Sequence, residues 1–132
     1  MIGYSLVGTN DFDSASRFYD DVFSEIGVGR AMEHGQTCMW GEEWAGSKPL
    51  FGVTVAYDGQ AATIGNGSMP ALMVSTRDEV DRVFARVMQL GGADEGGPGV
   101  RGPDSDKAFY GAYFRDLDGN KLCVYAIGPG PV

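Results

Sequence analysis

The second half of this chain repeats the first. Residues 16–27, "SRFYDDVFSEIG", lie over residues 81–92, "DRVFARVMQLGG", at a constant offset of 65, which matches Arg17 with Arg82, Val22 with Val87 and Gly27 with Gly92. Self-similarity at a fixed spacing means one supersecondary unit used twice, so both halves should carry the same order of elements. In the first copy, residues 2–7 ("IGYSLV") suit a strand. Asn10 or Asp11 can then cap a helix through about residue 26, because Phe12, Ala15, Phe18, Tyr19, Val22, Phe23 and Ile26 recur at steps of three and four. The other face of that helix carries Asp13, Arg17, Asp20, Asp21 and Glu25 and reads as a solvated surface. Residues 28–41 predict a hairpin turning near His34-Gly35, and "PLFGVTVAY" predicts a strand ending at the turn signal Asp58-Gly59.

The second copy follows the connection "DGQAATIGNG". It reads as a strand in "MPALMVS", a helix from about Arg77 to Leu90, a glycine-rich middle strand in "DEGGPGVRG", and two strands in "FRDLDGNKLCVY" bent about Asp118-Gly119. The predicted class is α+β: one domain over 1–132 made of two β-α-β-β-β modules, the first about 1–57, the connection 58–67, the second about 68–128. With 132 residues, 43% of them hydrophobic, the chain can bury one core but is too short for two ordinary domains.

Charge removes several functions. Ten Lys and Arg against 18 Asp and Glu give a net charge of −8 with no basic stripe, which opposes binding to phosphate backbones, so no nucleic-acid partner is expected. The N-terminal stretch has neither a basic segment nor a sustained apolar run, and nothing later approaches the roughly 18 apolar residues of a membrane span. The expectation is a cytoplasmic protein without a membrane partner, in which Cys38 and Cys123 are reduced thiols with no positive support for a bridge between them.

Several motifs have ordinary explanations. "GPGVRG", residues 97–102, fits G-x-G-x-x-G, but it follows a helix and leads into strands, the reverse of a dinucleotide loop; its glycines read as turn and bulge positions. His34 is the only histidine and reads as an exposed turn residue rather than a general base. Asp116 and Asp118 read as turn formers, since Asp bonds to nearby backbone. In the closing strand, period-two alternation sets Lys121, Cys123 and Tyr125 on one face and Leu122 and Val124 on the other, the aliphatic pair being the one to pack on the helix. Lys121 is the one cation predicted on the face of Cys123.

The paired modules, the stretch "DFDSASRFYDDVF", the stretch "STRDEVDRVFARVMQLGG" and the closing "YFRDLDGNKLCVY" together resemble the vicinal oxygen chelate superfamily, the glyoxalase, bleomycin-resistance and extradiol-dioxygenase group. The resemblance implies sheets that curl into half-open cups around a cleft, and a homodimer. Family enzymes hold a divalent metal through two histidines and a glutamate, at positions that fall here on Tyr4, Met69 and Cys123. None of the three is the expected ligand, so no metal and no cofactor is expected. The leading expectation is metal-independent binding of a small aromatic or amphipathic molecule by Tyr4, Trp40, Gln60, Asn66, Met69, Tyr113 and Cys123. Trp40 and Tyr113 would supply contact area; Gln60 and Asn66 would supply polar contacts, with a loop-forming role for both as the alternative. A second expectation is a glyoxalase-like lyase or isomerase, or a dioxygenase-related enzyme, with an atypical or relocated metal site. Tyr113 and Tyr4 would then be candidate acids and Cys123 a nucleophile. A third is a non-catalytic structural dimer.

Overall fold

The computed structural model describes residues 1–128, and the chain divides after Asn66 into two compact units. The first contains β1 (Tyr4–Gly8), α1 (Phe12–Ser24), β2 (Gly29–His34), β3 (Thr37–Gly41) and β4 (Leu50–Thr54). The second contains β5 (Ala71–Met73), α2 (Arg77–Gln89), β6 (Ala93–Arg101), β7 (Phe109–Arg115) and β8 (Lys121–Ile127). The sheets run β1-β4-β3-β2 and β5-β8-β7-β6, each with its first strand parallel to its last and the remaining pairs antiparallel. The architecture is α+β with two β-α-β-β-β modules, and α2 starts and stops 65 residues after α1.

Local chemistry explains the helix limits. Asp11 is the N-cap of α1, its Oδ1 accepting from the Ser14 N–H at 3.1 Å. The helix stops two residues before the sequence expectation because Gly27 turns left-handed, at φ +69°, and the Val28 N–H closes back on the Phe23 carbonyl at 3.0 Å. α2 opens on Thr76, whose hydroxyl accepts from the Glu79 N–H at 3.1 Å.

In the first unit, α1 lays Phe18, Tyr19, Val22 and Phe23 on its sheet. Trp40 belongs to that core, which corrects its expected place in a binding surface. It is 1% exposed, its ring stacks on Phe23 at 5.8 Å, and its indole Nε1 donates to Asp20 Oδ1 of α1 at 2.9 Å. A buried indole needs an acceptor, and the helix supplies one. Asp20 also accepts from Arg30 Nε at 2.8 Å and Nη2 at 2.7 Å, bonds that hold its carboxyl below the usual carboxylate range. It is therefore a helix-to-sheet anchor rather than part of a plain solvated face.

In the second unit, register divides the faces. Directly opposed residues share a side, so Phe114 with Leu122, Ala112 with Val124 and Tyr110 with Ala126 form one face. That face meets α2, where Val80, Val83 and Val87 are buried and Asp81 accepts from the Tyr110 hydroxyl at 2.6 Å. The register depends on the turn joining β7 to β8. Asp116 Oδ1 accepts from the N–H groups of Asp118 at 3.0 Å and Asn120 at 2.9 Å, and Oδ2 accepts from Asn120 Nδ2 at 3.0 Å. Gly119 takes φ +89° at the bend.

Two substitutions test these anchors. Trp40→Ala is expected to lower unfolding free energy by about 3–5 kcal/mol in urea titrations, as for deletion of a large core aromatic; a loss under about 1 kcal/mol would contradict the core assignment. Asp116→Ala strands one buried and one half-buried N–H donor and is expected to cost about 2 kcal/mol. A neutral result there would show that the carboxylate does not hold the turn.

Candidate functional site

The face of the second sheet away from α2 collects the chemistry. Tyr113 stands opposite Cys123, Gly111 opposite Tyr125 and Arg115 opposite Lys121, with Ala71 of β5 beside Cys123 and Met73 beside Tyr125. These residues alternate with the helix-facing set, so the predicted separation of Cys123 from Leu122 and Val124 is the observed one. Cys123 is nevertheless 1% exposed and forms the floor of this face. Burial pushes its thiol up, and the nearby charge of Arg101 only partly opposes that shift.

Arg101 corrects the expectation that Lys121 is the one cation here. Its guanidinium carbon lies 5.5 Å from the centroid of the Tyr113 ring, and Lys121 Nζ lies 5.7 Å from the same centroid. Arg101 reaches the ring by folding back over its own strand, where Nη2 donates to the Gly97 carbonyl at 2.9 Å. Glycines make that path: a Cβ on Gly99 would stand 3.0 Å from one guanidinium nitrogen, and one on Gly96 would stand 3.4 Å from another. Register shifts between Asp94 and Gly96 and between Gly96 and Gly99 bulge β6. The "GPGVRG" stretch is thus a bulged strand, as its context predicts. Two residues along the face, Phe109 and Tyr125 stack at 4.8 Å with planes 12° apart.

The remaining candidate residues are dispersed. Met69 precedes β5 in the same alternation as Ala71 and is 41% exposed. Tyr4 lies in the first unit at the start of β1, 51% exposed, with its ring 6.4 Å from that of Trp44. Trp44, which is 54% exposed, is the open tryptophan of this unit, and sequence reasoning passed over it in favour of Trp40. Gln60 and Asn66 lie exposed in the connection, where the Gln60 N–H donates to Asp58 Oδ1 at 3.0 Å. They stand in turns and on neither sheet, in keeping with the loop-forming alternative. His34 ends β2 as an exposed residue of the hairpin.

A phenol, a thioether and a buried thiol with a raised pKa stand where the resemblance places metal ligands. That donor set does not fit a hard or borderline divalent ion, which calls for imidazole and carboxylate. Among the described residues, no group of three or more His, Cys, Asp or Glu is placed to hold a metal ion.

Comparison with solved structures decides the family. The chain superposes on a glyoxalase/bleomycin resistance protein from Albidiferax ferrireducens T118 with TM-score 0.83 and 31% identity, over 96% of this chain and 98% of that one. The chain belongs to the glyoxalase/bleomycin resistance protein family, within the vicinal oxygen chelate superfamily. The same fold appears in a glyoxalase/bleomycin resistance protein/dioxygenase family enzyme from Burkholderia phytofirmans PsJN, at TM-score 0.68 and 18% identity over 95% of this chain and 97% of that one. It appears again in a lactoylglutathione lyase from Agrobacterium tumefaciens, at TM-score 0.63 and 18% identity over 96% and 92%. No family model and no curated protein matches the chain. Among the described residues, no helix of this family member is long and apolar enough to cross a membrane.

Both thiols are free, buried and shifted upward by burial, Cys38 among them. Native protein at pH 8 should therefore react with a disulfide reagent slowly and only through opening, whereas denatured protein should titrate both thiols at once. A fast native phase lost in Cys123→Ser would show a reactive Cys123 and contradict this account.

Proposed function

We propose that this protein binds a small aromatic or amphipathic molecule without a metal, on the helix-free face of its second sheet. One observation carries the reading: Tyr113, with Arg101 and Lys121 at 5.5 Å and 5.7 Å from its ring centroid, and the stacked Phe109–Tyr125 pair share a face with a buried, protonated thiol as its floor. Aromatic walls provide contact area and dispersion, while a few polar groups set orientation. Of the residues expected from sequence, Tyr113 and Met69 support this surface, and Cys123 lies buried beneath it. Tyr4 with Trp44 supplies an exposed aromatic pair in the first unit.

The enzymatic alternative has less support from the side chains. A nucleophilic cysteine requires a lowered pKa, and burial drives Cys123 the other way. Exposed apolar side chains on β1, β5 and β8, namely Leu6, Met73 and Ile127, support a homodimer as part of the same reading. The free thiols Cys38 and Cys123 support a cytoplasmic setting.

Naphthol, a flat neutral probe, should titrate the protein with equal affinity in the presence and absence of a chelator. Tyr113→Ala should weaken that binding by about ten-fold, while unfolding free energy changes by less than for Leu122→Ala. Stoichiometric Zn, Mn, Fe or Ni in the purified protein, with affinity restored by adding it back, would overturn metal independence. Unchanged affinity in Tyr113→Ala would remove the site from this face.

A further inference from the structure

The strand residues of the second sheet carry an imbalance of charge on the helix-free side. Arg101, Arg115 and Lys121 stand there against one carboxylate, Glu95, in a chain whose net charge is −8. Glu95 is already engaged, accepting from Arg115 Nε at 2.7 Å. Asp94 pairs across the sheet with Phe114 and so belongs to the helix side, where it accepts from the Gly96 N–H at 2.7 Å. Arg101 and Lys121 have no carboxylate ion-pair partner among the described residues. Both lie over the Tyr113 ring, Arg101 also donates to the Gly97 carbonyl, and the charge of Lys121 reaches Glu95, whose hydrogen bond is to Arg115.

We infer that Arg101 and Lys121, gathered over Tyr113, form an anion subsite whose ligand is a flat aromatic acid, its ring lying against Phe109 and Tyr125 and its carboxylate between the two cations. The inference rests on the binding reading above and names the ligand class of that same face. Three features support it. Arg101 is held in place by a carbonyl bond and by the room that Gly96 and Gly99 leave, so little ordering is needed when an anion arrives. Guanidinium donors match the two oxygens of a carboxylate, and Lys121 adds a point charge from the opposite strand. Tyr113 and Tyr125 are diagonal neighbours across β7 and β8, about 7–8 Å apart in such a sheet, a span suited to one bicyclic aromatic acid. The floor does not compete for the cations, since a buried thiol stays protonated.

Three isosteric probes separate charge from shape: naphthoate, naphthalenemethanol, and naphthalenemethylamine as its ammonium form, each titrated at pH 7 by calorimetry or tyrosine fluorescence. Naphthoate is expected to bind the parent protein about ten-fold more tightly than the alcohol, and the ammonium form more weakly than either, with the acid's advantage shrinking in concentrated salt. Arg101→Gln and Lys121→Gln should each reduce the ratio of naphthoate to alcohol affinity several-fold. The double variant should abolish that ratio while the far-ultraviolet spectrum stays unchanged. Equal binding of acid and alcohol by the parent overturns the anion subsite and leaves the binding reading standing. A folded double variant that keeps the ratio does the same. If none of the probes binds at millimolar concentration, the anion subsite and the binding reading both fall. Should one single variant unfold, the other still decides, because each cation is expected to contribute independently.

Discussion

The register of β7 against β8 is the constraint on which the second unit depends. A strand's side chains alternate with period two, so a slip of one residue would send Leu122 and Val124 away from α2 and drive Cys123 and Lys121 into its core. The Asp116 carboxylate prevents that slip by binding two backbone N–H groups and one side-chain amide across the turn. A few hydrogen bonds of the Asp116 carboxylate therefore determine which side chains form the core and which stand on the helix-free face. The first unit has its counterpart in Asp20, which joins the indole of Trp40 to the guanidinium of Arg30.

Much of this is legible in the sequence because repetition and periodicity are local signals. Steps of three and four located α1, the offset of 65 matched it to α2, and alternation in β8 separated Cys123 from its aliphatic neighbours. Trp40 was misplaced for a reason equally physical. Its strand "TCMWG" has apolar side chains on both faces, since Met39 and Trp40 are both buried, so alternation offers no polar side to exclude. The informative residue was Asp20 on the distant helix, whose acceptor role depends on a tertiary contact. Arg101 escaped notice because two register shifts lie in β6, and a bulge breaks the parity by which a face is read from sequence.

Membership of the family and possession of its metal chemistry are separable properties. The fold is kept across relatives of 18% identity, because it rests on helix-to-sheet burial and on turns, which many sequences can provide. A divalent site rests on three particular side chains, and a change from imidazole to phenol or thioether removes a ligand without disturbing the strand that carries it. Tyr4, at the start of β1, and Met69, just before β5, are both exposed, so the side chains at these two positions cost the core little. Cys123 is different: it is buried, and a carboxylate in its place would have to be desolvated beside Tyr113 unless a metal or the Arg101 charge compensated it.

The overall charge also narrows what the cationic face can accept. A chain of net charge −8 repels anions at long range, and that repulsion grows with the charge on the approaching molecule. Salt limits the field to about 8–10 Å, so a small anion feels chiefly Arg101 and Lys121 once it lies on the sheet. A large polyanion extends beyond that local region and meets the net negative charge of the chain. At the proposed subsite that difference in range would favour small, singly charged, flat acids over nucleotides and other polyphosphates, without a clash or a gate.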